Sequence, residues 1–168
     1  MRPKPEDHFA YFEYYINLVK ENNLIEALEN NQTDFINLLD TIPTQKEEYK
    51  YAPDKWTIMQ VINHIIDTER IFSYRALRFA RGDSKLLRSY DENIYANNAN
   101  LKNTNLHILR EEFLAVRTAT ILLFKQLSEH ELRLSGDLEP GKTTVLSLGY
   151  VICGHALHHS AVLKERYL

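Results

Sequence analysis

Only five glycines and five prolines punctuate this chain, and they fall between long helix-periodic runs instead of cutting it into strand-sized pieces. That spacing points to an all-α fold. A first, weaker segment over residues 8–20 carries Phe9, Phe12, Tyr15, Ile16 and Val19 at helical spacing before Glu21, Asn22 and Asn23 interrupt it, and it reads as an arm packed outside. The next run places Leu24, Leu28, Phe35, Leu38, Leu39 and Ile42 on one face and stops at Pro43, which bars continuation. The second bundle helix, over residues 57–81, opens where Thr57 can cap it while Gln60 reaches back. It turns Ile58, Val61, Ile62, Ile65, Phe72 and Phe79 inward, and Gly82 supplies its stop. Residues 83–103 are polar, asparagine-rich and poorly periodic, with Tyr90, Ile94 and Tyr95 as anchors, and read as a long crossover. The third helix carries Leu106, Leu109, Phe113, Val116, Thr120, Leu123 and Leu127. A loop around Gly136, Pro140 and Gly141 then leads to Thr143 and Thr144, either of which can cap a last helix running through Lys164. The layout is a four-helix bundle with a long crossover between helices two and three and an N-terminal helical arm. Residues 1–168 are expected to form a single domain, with the arm at 1–23 and the bundle at 24–168.

At 168 residues the chain can bury a core without staples, and 44% hydrophobic, 11% aromatic and 26% charged residues suit a soluble globular protein. A net charge of −3 offers no bulk attraction to phosphate backbones, so nucleic acid is not an expected partner. No stretch approaches about 18 consecutive apolar residues, and a membrane is not expected either. The first residues are charged and proline-containing, without the apolar centre of a secretory signal. The one cysteine, Cys153, excludes an intramolecular disulfide and suits a reducing compartment, so the expected location is the cytoplasm.

Three of the seven histidines lie in Gly154-His155-Ala156-Leu157-His158-His159, inside the last apolar, helix-periodic run. At about 100° per residue, His155 and His159 differ by roughly 40° and sit one turn apart on a single face. That face also carries Leu148, Val151, Ile152 and Val162, so the imidazoles point toward neighbouring helices. His64, within Val61-Ile62-Asn63-His64-Ile65-Ile66, should face inward too. A lone inward histidine is more often a hydrogen-bonded core residue than a ligand. The pair changes the balance, because two imidazoles without a nearby carboxylate are awkward to bury. Neutral imidazoles from His64, His155 and His159 would suit zinc or nickel and leave a coordination position for water or a small-molecule substrate. His158, about 60° from His155, can replace His159 or bond a supporting partner.

Other polar residues carry blander readings. His8, His107 and His130 are expected at the surface or in local bonds. A peptidase of the H-E-x-x-H type would need glutamate where Ala156 stands, so its general base is missing. Asp67 and Glu69 are expected to be solvated. Cys153 is turned about 160° from His155 and reads as a small core residue. Arg70, Arg78 and Arg81, interspersed with acids, read as a solvated or salt-bridged face. Arg75 lies three turns along the stripe of His64 and can bind an anionic substrate, but a buried charge needs a partner and pairing with an internal carboxylate is the expectation.

Lys55-Trp56-Thr57-Ile58, the segment Val61-Ile62-Asn63-His64-Ile65-Ile66-Asp67-Thr68-Glu69-Arg70, the segment Tyr74-Arg75-Ala76-Leu77-Arg78-Phe79-Ala80-Arg81-Gly82-Asp83 and the histidine tail occur in an order that closely resembles the DinB/YfiT-like superfamily. The likeness covers residues 24–168. It implies a four-helix bundle with a long connection between helices two and three, assembly as a homodimer, and a divalent-metal site whose histidines match His64, His155 and His159. His158 matches an additional histidine, and Ala156 departs from the glutamate of many relatives. Characterised members include metal-dependent transferases and isomerases that use low-molecular-weight thiols such as bacillithiol or mycothiol, beside proteins labelled metal-dependent hydrolases. The resemblance thus implies a metal-dependent thiol S-transferase-like enzyme that holds its cosubstrate as a thiolate. The alternatives are a hydrolase using metal-bound water and a nonenzymatic stress-response or binding module.

Overall fold

The computed structural model describes residues 1–139 and 141–168, and apart from α1 its α-helices begin where the preceding side chain can receive their free N–H groups. After a 3₁₀ turn at Pro5–Asp7 come α1 (Ala10–Leu18), α2 (Leu24–Asp40), a second 3₁₀ turn at Thr44–Lys46, α3 (Ile58–Ala80), α4 (Glu92–Asn98), α5 (Leu106–Lys125) and α6 (Glu129–Arg133). The strands β1 (Ser135–Leu138) and β2 (Gly141–Thr144), then α7 (Val145–Val162) and a π-helical turn at Leu163–Tyr167, complete the order. Asn23 caps α2, Asp91 caps α4 and Asn105 caps α5. Thr57 and Gln60 form the expected reciprocal box on α3, and Ser128 with Glu131 forms another on α6. Such caps are each worth about 1 kcal/mol. Of the two threonines before the last helix, Thr144 is the cap, accepting from the Ser147 N–H at 3.2 Å. Gly82 ends α3 in the left-handed region at φ 79°, where a side chain would be strained.

The bundle is made by α2, α3, α5 and α7, with α7 against both α2 and α3, and α5 against the same two. On the remaining side, α1 covers α7. This explains why α7 is apolar all round: every residue from Val145 to Ala156 is buried. Phe12 and Ile16 of α1 join Phe72, Phe79, Tyr150 and Val151 in one core cluster. Phe35, Ile58, Ile62, Leu109, Phe113 and Tyr167 belong to a second. Arg2 closes the arm on itself by donating to the carbonyls of Ile16 and Glu21 at 2.8 and 3.2 Å.

Four expectations are corrected. Residues 135–144 contain an antiparallel hairpin, registering Ser135 with Thr144 and Leu138 with Gly141, where the sequence suggests a plain loop; Pro140 lies outside the described residues. The crossover is also structured. It contains α4, and Leu87 bonds to the carbonyl of Asp137 at 2.9 Å, while Ile94 and Tyr95 are exposed and Ala96 is the buried contact. The inward face of α5 includes Arg117, Ile121 and Phe124, leaving Val116, Leu123 and Leu127 half-buried.

Glu69 is the fourth correction. It is buried on α3 and accepts two hydrogen bonds from the fully buried Arg117, at 2.8 and 2.9 Å. Arg117 Nη1 also donates to Asn31 Oδ1 at 2.7 Å and to the Leu28 carbonyl at 3.2 Å. Charge inside this bundle is tolerated because the fork geometry pairs both carboxylate oxygens.

Candidate metal centre

The residue spacing on two helices builds the site. His64 projects from α3, while His155 and His159 project from successive turns of α7. His155 Nε2 is 3.0 Å from His64 Nε2 and 3.1 Å from His159 Nε2. The three candidate ligand atoms all lie within 4.8 Å of one another, and this is the one such group of three or more among the described residues. His64 and His155 are buried and His159 is half-buried. Their rings meet edge to face, at interplanar angles of 66°, 81° and 70°.

Those nitrogens do not satisfy one another well. A ring nitrogen either carries one proton or offers one in-plane lone pair. As donor, His155 Nε2 has one proton for two neighbours; as acceptor, it has one lone pair for two. A cation accepts several lone pairs at once, and tetrahedral zinc with Zn–N bonds of about 2.1 Å spaces its nitrogens about 3.4 Å apart. The donor set therefore fits a divalent ion.

Burial also keeps the donors neutral, as ligation requires. It pushes the His64 pKa down to about 4, with the charge of His158 adding to the effect, and that of His159 down to about 3, with His64 and His158 adding. His155 is held well below the ordinary histidine value, first by burial and then by His159, His64 and His158. Support comes from around the rings. Thr68 Oγ1 lies 3.5 Å from His64 Nδ1, a long contact, and pairs with the Tyr90 hydroxyl at 2.7 Å. Trp56 tilts over His64 with ring centroids 4.9 Å apart, and Tyr15 approaches His155 at 5.7 Å.

The imidazoles open into a cavity of about 460 Å³, whose walls include Phe9, Phe12, Tyr15, Trp56, Phe72 and Tyr90. It draws on α1, α3, α7 and the crossover, so tertiary packing makes it. His158 also lines it, but its Nδ1 is 3.0 Å from the Tyr14 hydroxyl, outside the group of three. Periodicity did not single out Thr68, Tyr14 or Trp56; the position of Thr68 four residues after His64 was the one local signal.

The remaining sequence candidates lie elsewhere. Asp67 accepts from Asn63 Nδ2 at 2.8 Å, and Glu69 is occupied by Arg117. Cys153 is fully buried, and its pKa is pushed up to about 12 by that burial. His8 is buried but locally bonded, 3.3 Å from Glu13, while His107 and His130 are exposed. Arg75 departs from expectation. It is buried and borders the cavity, yet among the described residues it forms no ion pair; Nη2 donates to the Arg88 carbonyl at 2.9 Å.

Comparison with known proteins places this geometry among similar folds. A sequence model of the DinB superfamily matches residues 27–163. Among solved structures, YfiT from Bacillus subtilis superposes with a TM-score of 0.77 at 16% identity, over 98% of this chain and 91% of that one. YfiT is described as a probable metal-dependent hydrolase with an unusual four-helix bundle topology. The DinB-like protein YjoA from Bacillus subtilis gives a TM-score of 0.59 at 20% identity, covering 85% of this chain and 88% of that one. No curated protein matches the chain.

Proposed function

The chain belongs to the DinB superfamily, and we propose that it is a metal-dependent enzyme in which His64, His155 and His159 hold one divalent cation beside the aromatic cavity. The observation that carries this reading is the convergence of three Nε2 atoms around His155. Three neutral imidazoles suit zinc or nickel. A divalent ion bound there would supply Lewis acidity, lowering the pKa of a thiol or water that enters the cavity.

The chain's own residues favour a thiol S-transferase reaction. Among the described residues, none of the three imidazoles forms a carboxylate contact, and the cavity carboxylates Glu92 and Glu139 are exposed. A reaction that must deprotonate water gains from such a base at hand. A thiol, with an ordinary pKa of about 8.5, needs far less assistance. Its sulfur would form a bond to the electrophilic atom of a small substrate as the leaving group departs with the bonding pair. Phe12, Phe72 and Trp56 exclude competing water, and Thr68, backed by Tyr90, orients His64. The hydrolase description of YfiT favours a second reading, attack by water on an ester or amide.

Metal analysis of untagged protein, as isolated and after reconstitution, tests the centre. A panel pairing low-molecular-weight thiols with electrophiles, run beside esters and amides, tests the reaction. Stoichiometric metal and thiol-dependent turnover are expected. Absence of metal, or occupancy unchanged in His64→Ala, would reject the site, and thiol-independent turnover would replace transfer by hydrolysis.

A further inference from the structure

Among the described residues, Arg75 is a buried cation without an ion-pair partner. It is 7% exposed, and its guanidinium sits 5.1 Å from the Phe72 ring centroid and 5.9 Å from that of Tyr90. Among the described residues its one hydrogen bond goes to the Arg88 carbonyl, which leaves most of its N–H donors without a partner there. Neither carboxylate on the cavity wall pairs with it. Glu139 borders the same cavity, but its Oε2 accepts from the backbone N–H and hydroxyl of Ser89 at 3.0 and 3.1 Å. Glu92 is exposed at the start of α4, and Glu69 is paired with Arg117.

A guanidinium held against two aromatic rings is fixed in direction and poorly hydrated, which makes it a strong receptor for a planar anion. We propose that the cavity takes a small organic carboxylate whose anionic end pairs with Arg75 while its apolar body lies against Phe9, Phe12 and Phe72. This rests on the preceding reading for the chemistry at the other end of the cavity. Eleven residues of helix separate Arg75 from His64, about 16 Å of axial rise. Both side chains lean toward the helix N-terminus, the longer arginine further, leaving a span on the order of 10–15 Å. The carboxylate is thus a handle remote from the reacting atom. It supplies orientation, and the bonds formed and broken lie at the histidine end.

The test uses a ladder of phenylalkanoates of increasing chain length, each beside its uncharged amide, with binding measured on metal-loaded and chelator-treated protein. A carboxylate of matching length should bind about tenfold or more tightly than its amide in both forms, because a charge-assisted pair replaces a neutral one. Arg75→Met should abolish that preference and Arg75→Lys should retain part of it. In wild-type protein, the Arg75 Nε–H resonance should shift with the carboxylate and not with the amide, which keeps the test intact if a variant misfolds. Equal affinity for every acid and amide pair overturns the proposal. So does a preference that vanishes on chelation and survives in Arg75→Met, since the carboxylate would then sit on the metal. Metal content is measured separately, so an empty centre and an indifferent Arg75 give different results.

Discussion

A methyl group built on Gly154 would lie 2.0 Å from the carbonyl oxygen of Tyr15. At this point the backbones of α7 and α1 touch, and the obstacle is main chain that cannot rotate away. Gly154→Ala should therefore push α1 outward, destabilising the fold by about 1–3 kcal/mol as overpacking does. A lower urea midpoint, with faster amide exchange in α1 than in α5, is the expected result. Since Tyr15 also flanks His155, the cavity should loosen together with the helix contact.

The Glu69–Arg117 pair should show strong coupling. Glu69→Leu or Arg117→Met alone leaves a buried charge without its partner and should cost about 3–5 kcal/mol. The double variant removes both charges and should recover much of that loss. Urea unfolding of the four proteins gives the coupling energy; additive losses would contradict the interaction.

His158 and His159 should separate in metal analysis. His159→Ala removes one of the three converging nitrogens and is expected to lose most bound metal, whereas His158→Ala breaks only the bond to Tyr14 and should keep stoichiometry. Thr68→Val should weaken metal affinity roughly tenfold by freeing His64. Competition with a chromogenic chelator measures all three.

Acid should unfold the metal-free protein early. Burial lowers His64 from 6.5 to about 4 and His159 from 6.5 to about 3, so between those limits the unfolded chain binds more protons than the folded one. Stability is then unaffected by these groups above about pH 6.5 and falls as pH drops toward 3, by up to about 1.4 kcal/mol per pH unit for each group. Urea midpoints measured between pH 7 and 4 with a chelator should decline, and added zinc should move the decline to lower pH.

Much of the helical architecture was legible because each long run presents apolar residues at one period and ends at a residue with a specific backbone role, as at Thr57 and Gly82. The hairpin was not, since four-residue strands that contain Gly136 and Gly141 carry too little alternation to register. The charge of Glu69, taken alone, suggests a solvated position. Its position among Ile62, Ile65, Phe72 and Ala76 was inward, and Arg117 occupies the matching place among Leu109, Phe113, Thr120 and Phe124. Two opposite charges on two inward stripes form a readable pair only when considered together. At the site, the four-residue spacing of His155 and His159 put both on one face, and the meeting with His64 followed from helix packing. The cavity walls come from the arm and the crossover, whose placement depends on contacts far apart in sequence.

The covering of α7 by α1 sets an order in time. His64 and His155 are 91 residues apart, and the outer wall comes from the first helix while its opposite face belongs to the last. During synthesis, α1 can leave the ribosome long before α7 exists, and its apolar side, with Phe12 and Ile16, must wait in solution or cling to something else. The cavity is thus assembled last, when α7 slides between the arm and the rest of the bundle. Until then the emerging polypeptide holds its imidazoles apart, hydrated and freely titrating, and a metal would meet a ready-made grip only once the chain has closed on itself.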